Sequence, residues 1–505
     1  MIFSSFDFIY AFFPITLLGF LALRRWGDEM AVILWLVAAS LVFYGYWNPP
    51  YLLLILGSIG VNYLIHLHLK RRKDLPVLIS GIALNLLAIA YFKYANFFVD
   101  TMNGLAGTGF SIGDIALPLA ISFFTFQQIA FLVETYRGQV LETGLAKYVL
   151  FVTFFPQLIA GPIVMQRETV PQFKMSVFQS KLALNLSIGL TLFVIGLFKK
   201  LVLADGIAPY ATNVFALADG GADIPLSMAW SGALAYTFQI YFDFSGYCDM
   251  ALGLARCFGI RLPINFNSPY KATSIVDFWR RWHITLSHFL RDYLYIPLGG
   301  NRGTKTRRYA NLIITMLLGG LWHGASWTFV VWGGLHGCYL MINHAWTTAR
   351  ENRGLEPGSG GAAYRVFAQT LTLLAVVVAW VFFRAETFAG AASILAGMVG
   401  LNGLDLARNA PAEMTRAAAG VAESFFWFVP LALIALKFPN AIEFTARYRP
   451  TLDYRKELRR GRRWRRPLDW QPTAVWGFAL SAIAIIGVSQ MYRLGDLSEF
   501  IYYNF

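Results

Sequence analysis

The feature that most limits what this chain can become is a series of long apolar runs. They lie near 8–24, 30–47, 51–68, 76–92, 147–165, 181–198, 226–242, 311–333, 365–383, 423–437 and 473–491. Each is long enough, or nearly so, for a helix to cross roughly 30 Å of hydrocarbon. In hydrocarbon every backbone N–H and C=O must be paired within the protein, which leaves only helices and closed barrels. Barrel strands would alternate in polarity over about ten residues, and no such alternation is present. The expected fold is therefore all-α, a polytopic integral membrane protein of about 11–13 transmembrane helices. Shorter apolar pieces near 115–133 and 387–400 are expected to be re-entrant or interfacial. The composition agrees, with 57% hydrophobic and 14% charged residues and a mean hydropathy of +0.52. A soluble chain of this length needs more polar surface.

The formal net charge is +14, from 42 basic and 28 acidic residues. The basic residues cluster as Arg24-Arg25, "KRRK" at 70–73, Lys199-Lys200, "RGTKTRR" at 302–308 and "RKELRRGRRWRR" at 455–466. In a soluble protein such an excess would point to nucleic acid. In a membrane chain it marks cytoplasmic loops, so no nucleic-acid partner is expected. No basic residue precedes Arg24, so the first apolar run lacks the positive flank of a signal peptide. Placing the N-terminus outside puts Arg24-Arg25 and "KRRK" inside. The 442–472 stretch is expected as a basic cytoplasmic loop on the anionic inner leaflet. Residues 473–505 are then the last helix and an extracytoplasmic tail, "LSEFIYYNF". Both termini are expected outside, with an even number of spans. No internal repeat separates the chain, so residues 1–505 are read as one membrane domain. The stretch "ENRGLEPGSGGAAYR" at 351–365 reads as a flexible surface loop. Cys248, Cys257 and Cys338 show no C-x-x-C spacing and suggest buried apolar residues rather than a disulfide framework.

Residues 262–310 depart from the apolar pattern. Pro263 and Pro269 keep the start irregular. Thr273 or Ser274 can then cap a helix through "VDFWRRWHITLSHFLRDYLYI", with Asp277 in its first turn. Trp279 and His283, four apart, would share a face. Asp277, Arg280, Arg281, Arg291 and Asp292 make the segment too charged to span. It either lies at the interface or folds back to line a cavity, where irregular backbone at membrane depth is tolerated.

Seven histidines are present. His66 and His68 point to different helix faces, and His283 and His288 are five apart. With no H-E-x-x-H and no Cys/His cluster, a zinc enzyme is not indicated and no metal site is expected. His323 and His336 sit in "LGGLWHGASWTFVVWGGLHG" (318–337), with no charged residue between Arg308 and Arg350. On one continuous helix they would differ by some 220° and about 20 Å. They can share a site only if the helix breaks, which the glycine pairs at 319–320 and 333–334 permit. His323 reads either as a core histidine bonded to a carbonyl or as a functional base. Gly319, Gly320, Gly324 and Ala325 strip bulk around it, leaving room for another chain or a ligand, and Trp322 and Trp327 flank it. Apolar burial keeps imidazole neutral, the form that takes a proton from a hydroxyl. "FDFSGYCDM" at 242–250 holds Ser245-Gly246 without the first glycine of a nucleophile elbow. "SGYCDMALGLARCFG" looks like helix packing through small residues. Asp243 and Asp249, in or near the membrane, are functional candidates, while a structural bond to Arg256 or to a broken helix end explains them equally well.

The block "YFDFSGYCDMALGLARCFGIRLPINFNSPYKATSIVDFWRRWHITLSHFLRDYLYIPLGGNRG" with "NLIITMLLGGLWHGASWTFVVWGGLHG", spanning 241–337, resembles the membrane-bound O-acyltransferase family. Within that family it is most similar to bacterial subunits serving O-acetylation of exopolysaccharides such as alginate. "SFFTFQQIAFLVETYRG", "FFPQLIAGPIV" and the terminal "FIYYNF" fit as well. The D-alanyl lipoteichoic acid transfer subunit is similar but shorter. The resemblance implies a multi-helix enzyme of the bacterial inner membrane with a funnel between its faces. It implies His323, in "LWHG", as the catalytic histidine, and His283, in "RRWHITLS", as the second prominent one. Asp277 stands where the family pattern suggests Glu.

The implied reaction takes an acetyl group from a cytoplasmic thioester, acetyl-CoA being the expected donor substrate, with no bound cofactor. The acetyl passes to an exopolysaccharide hydroxyl, directly or through an extracytoplasmic polysaccharide acetyltransferase partner. His323 would deprotonate the acceptor hydroxyl. His283, Trp279 or a backbone N–H at a helix break would stabilise the oxyanion. Substrate-binding candidates are Trp279, Arg280, Arg281, Asn301 and Trp322, with Arg302, Lys305, Arg307 and Arg308 near the CoA phosphates. Positive-inside topology explains those cations equally well. Membrane lipid is the remaining partner. The alternatives are D-alanyl transfer to teichoic-acid-type acceptors, or a non-enzymatic transporter or scaffold for lipid-linked saccharides.

Overall fold

A computed structural model describes residues 1–140, 144–355, 360–404, 412–452, 470–494, 500 and 501. The basic run at 455–466, residues 356–359 of the 351–365 stretch and all of "LSEFIYYNF" except Phe500 and Ile501 lie outside the described residues. The described residues form helices and no β-strand, as expected for a polytopic all-α membrane protein. Among the described residues, seven helices are long and apolar enough to cross a membrane: Asp7–Trp26, Tyr51–Arg71, Leu75–Ala106, Leu182–Asp219, Ala362–Arg384, Ala418–Leu436 and Ala474–Arg493. Glu29–Gly45 and Phe388–Met398 are shorter apolar helices.

Two of the apolar runs are not single helices. In 147–165, Leu145–Thr153 stops at Phe154, whose ψ is 106°, and Phe155–Leu158 follows. Pro156 suits the first turn of the second piece but cannot continue the first. In 311–333, helix Lys305–His323 ends and helix Trp327–Glu351 begins. Ser326 caps the second by accepting from the Thr328 N–H, which fixes the break at 324–326 rather than at either glycine pair. The piece near 115–133 contains a buried helix, Ile121–Tyr136.

The described residues group into two compact units interleaved along the chain. The first comprises 1–198, 246–264 and 441–505, and the second comprises 199–245 and 265–440. In the first, small residues let helices approach closely. A Cβ on Gly196 would lie 2.5 Å from the Gly246 carbonyl oxygen, and one on Gly189 would lie 2.6 Å from that of Gly253. This is the packing role read from "SGYCDMALGLARCFG". In the second, the Lys200 ammonium is buried between the carboxylates of Asp205 at 2.9 Å and Asp243 at 2.7 Å. Lys200 thus gives Asp243 a structural ion pair of the kind read as its alternative role.

Candidate active site

The candidate site lies wholly within the second unit, and begins with two segments that run side by side. The Asn267 N–H donates to the Arg281 carbonyl at 2.9 Å, and the Ile284 N–H donates to the Asn265 carbonyl at 3.0 Å. The Asn440 side chain donates to Asn267 Oδ1 at 3.2 Å and to Ser268 Oγ at 3.0 Å, fixing the first segment. Between these anchors the expected helix over 275–296 does not form as one piece. Ser274 caps a short helix, Ile275–Trp279, and a second, Ile284–Leu290, starts after His283. His283 itself has φ 43° and ψ 54°. A left-handed residue cannot sit inside a right-handed helix, and holding a non-glycine there costs about 1–3 kcal/mol. Trp279 and His283 therefore do not share a helix face.

Asn265 holds the strained residue. Its Oδ1 accepts from the Thr285 N–H at 3.2 Å and the Thr285 hydroxyl at 3.0 Å, and lies 3.1 Å from His283 Nδ1. A backbone N–H can only donate, so the amide oxygen faces this cluster. An amide oxygen can only accept, so His283 Nδ1 carries the proton and Nε2 is the acceptor nitrogen of the neutral ring. His283 is fully buried, outside the seven candidate spans, and burial lowers its pKa to about 3. Asn265 is the functional candidate that sequence reasoning missed. Its partner is 18 residues away and no local pattern links them.

His323 is the last residue of Lys305–His323 and is 1% exposed. Its ring lies 6.3 Å from that of His283, 5.0 Å from Trp322, 5.0 Å from Trp332 and 5.2 Å from Phe383, centre to centre. Trp322 also lies 6.1 Å from His283. Trp327, expected beside His323, is half exposed; Trp332 takes that place.

The surrounding glycines do not leave open space. A Cβ on Gly320 would collide with the Phe329 carbonyl, one on Gly324 with the Phe329 ring, and one on Gly333 with the Met316 carbonyl. They let Trp327–Glu351 fold back tightly against Lys305–His323, and this turn brings His336 into the same cluster. Trp332 lies 4.9 Å from His336. The Trp279 indole N–H donates to His336 Nδ1 at 3.3 Å, so neutral His336 carries its proton on Nε2. That atom and Trp332 Nε1 have no hydrogen-bond partner among the described residues. A buried donor left unpaired costs about 1–3 kcal/mol and calls for an explanation.

The polar candidates lie apart from this aromatic cluster. Arg281 bonds Asp277 at 2.9 Å and the Asn267 carbonyl at 3.2 Å, which also accounts for Asp277. Arg280 is exposed. Exposed Asn301 accepts from the Tyr295 hydroxyl at 2.7 Å. Arg302, Lys305 and Arg307 are exposed near the start of Lys305–His323. Lys305 and His323 are about 27 Å apart along that helix, so one small group cannot touch both. No cluster of three or more His, Cys, Asp or Glu residues suited to a metal occurs among the described residues.

A family model described as "MBOAT, membrane-bound O-acyltransferase family" matches residues 143–381, which include Asn265, His283, His323 and His336. The chain is 44% identical over 437 residues to the peptidoglycan O-acetyltransferase of Helicobacter pylori, covering 80% of this chain and 81% of that protein. It is 41% identical over 426 residues to the "Probable alginate O-acetylase AlgI" of Azotobacter vinelandii, covering 82% and 81%. A teichoic acid D-alanyltransferase of Streptococcus thermophilus is 30% identical over 257 residues, covering 47% of this chain and 61% of that protein.

Proposed function

This chain belongs to the membrane-bound O-acyltransferase family and is a multi-pass membrane O-acyltransferase; from that premise we propose that it moves an acetyl group from a cytoplasmic thioester, acetyl-CoA, to a hydroxyl of an extracytoplasmic glycan. The acetyl reaches the glycan directly or through an extracytoplasmic acetyltransferase partner. The membrane is the bacterial inner membrane, with both termini outside. The two acetyl-transferring relatives cover about four-fifths of the chain, whereas the D-alanyl relative covers less than half. That contrast favours acetyl over D-alanyl.

His323 acts as the general base. Its imidazole takes the proton of the acceptor hydroxyl as that oxygen bonds to the thioester carbonyl carbon. The C–S bond then breaks, and the imidazolium returns the proton to the departing sulfur. The carbonyl oxygen, negative in the intermediate, needs a donor in a dry site. Trp332 Nε1–H, buried and unpaired beside His323, suits that role better than Trp279, whose N–H is given to His336. His283 and Trp322 wall the reacting centre. Arg280, Arg302, Lys305 and Arg307 are free to hold the anionic end of a long donor, while Arg281 holds the 265–284 turn. The observation that carries the reading is the buried pair of histidines, one terminating a helix and one held left-handed by Asn265.

The test is radiolabelled acetyl-CoA supplied to one side of proteoliposomes holding the full chain, with glycan oligosaccharide and the candidate partner on the other. Label in the glycan, lost in His323→Ala and lowered about a hundredfold in Trp332→Phe, supports the reading. A transporter or scaffold would leave the thioester intact in all three.

A further inference from the structure

We propose that His336 is a further catalytic residue of the acyl-transfer site: its Nε2–H joins the Trp332 Nε1–H as a pair of donors to the thioester carbonyl oxygen as that oxygen turns negative. The proposal rests on the reading of His323 as the base and adds a residue to it.

Spacing puts both donors on one face. Trp332 and His336 are four apart in Trp327–Glu351, and residues four apart on a helix are neighbours. Their ring centres lie 4.9 Å apart, and Trp332 also lies 5.0 Å from His323. Trp332 is thus the shared neighbour of the base and of His336.

Trp279 sets the tautomer. An indole N–H can only donate, and that of Trp279 donates to His336 Nδ1 at 3.3 Å. The proton of His336 is therefore on Nε2. A second proton would have to go on Nδ1, where it would face the indole N–H. Trp279 is the positioning residue, holding His336 neutral with Nε2 as its donor.

The two donors are kept from the rest of the protein. His336 is 0% and Trp332 1% exposed, and neither His336 Nε2 nor Trp332 Nε1 has a hydrogen-bond partner among the described residues. The other rings around His336 are Phe278 at 5.9 Å, Trp279 at 5.1 Å, Tyr339 at 5.8 Å and Trp380 at 6.4 Å, centre to centre. Two buried N–H groups in such a setting suit a ligand atom that brings lone pairs and no proton. A carbonyl oxygen meets that description, and it holds donors more strongly once it is negative. In the step, the acceptor oxygen bonds to the carbonyl carbon as His323 takes its proton. The carbonyl π pair moves onto the oxygen, which accepts from both N–H groups. The pair returns as the C–S bond breaks, and His323 protonates the sulfur. His336 keeps its proton throughout, so it is a donor and not a second base.

The experiment measures kcat and KM for acetyl-CoA with the full chain in proteoliposomes. His336→Asn keeps an amide near Nδ1 to accept from Trp279 but does not reach Nε2, whereas His336→Gln carries an amide N–H out to Nε2. His336→Asn is expected to lower kcat about a hundredfold with KM within about threefold, as for one lost oxyanion donor. His336→Gln should recover at least about tenfold of that loss. Trp279→Phe should lower kcat in wild type and add nothing in the His336→Asn background, as a residue acting only through His336 must. Wild-type kcat in His336→Asn, an equal fall in the Asn and Gln variants, or a raised KM with kcat unchanged overturns the proposal. An equal fall is what a packing role alone would give. His323→Ala, measured alongside, separates the two readings. Normal turnover there overturns the base and this proposal together, whereas its loss there with wild-type kcat in His336→Asn overturns this proposal alone.

Discussion

His66 and His283 are both buried, and each gives Nδ1–H to a side-chain oxygen, Thr135 in one case and Asn265 in the other. They differ in what surrounds that bond. His66 sits in a regular helix, and its acceptor serves it alone. His283 sits in a left-handed turn, its acceptor serves three donors, and a second histidine lies 6.3 Å away. Burial and a satisfied Nδ1 are therefore common to both, and do not mark a reactive site. Strain that is held in place by a dedicated residue, next to a second imidazole, is what sets the proposed site apart.

The widest separation between the two regions is expected in turnover. His323→Ala should lower acetyl transfer by about 10²–10⁴-fold, the range of a lost general base. His66→Ala should change it less than about threefold, because His66 is placed outside the chemistry. Steady-state thioester loss, with folding checked by gel filtration, measures both. Next comes the acceptor of each histidine. Asn265→Ala removes an acceptor shared by three donors, and at about 1–3 kcal/mol for a buried hydrogen-bonding group it should cost at least tenfold in kcat and lower the thermal midpoint. Thr135→Val should lower stability by about 1 kcal/mol, seen as a lower thermal midpoint, with kcat unchanged. Equal effects on kcat would erase the contrast.

Glycines give a third comparison. Gly333→Ala drives a Cβ into the Met316 carbonyl, whereas a Cβ on Gly57 meets nothing within 4 Å. Gly333→Ala should destabilise by about 1–3 kcal/mol through overpacking. Gly57→Ala should be neutral, or stabilising by up to about 1 kcal/mol. Thermal midpoints in one detergent decide it.

The smallest effect is in pH. His283 binds its proton more weakly when folded than when unfolded, so the unfolded state takes up more protons and stability rises with pH. The contribution is complete above about pH 6.5 and is lost as pH falls toward about 3. By pH 5 the loss amounts to about 2 kcal/mol. His283→Gln should flatten the fall in thermal midpoint between pH 7 and pH 5, and an unchanged slope would show that His283 is not buried neutral.

Much of this was legible in the sequence. The uncharged runs forced an all-α membrane protein, and the 241–337 block carried the family. What was not legible depended on contacts distant in sequence. No local pattern announces a left-handed histidine, because Asn265 imposes it from 18 residues away. The 275–296 segment read as one helix because its spacing suits one, and backbone pairing between 265–267 and 281–284 overrides that preference. The glycines around His323 read as space for a ligand, whereas they admit the following helix. Placing the break at 324–326 depends on the Ser326 cap, and with the break elsewhere Trp332 and His336 do not reach the cluster.

The most direct test of the central claim, that His323 is the base for acyl transfer, is a single-turnover measurement of thioester loss by purified wild type and by a folded His323→Ala variant, each with and without added imidazole. A fall of at least about a hundredfold, partly restored by imidazole in the variant alone, is the predicted result. Equal single-turnover rates in the two proteins would contradict the claim outright.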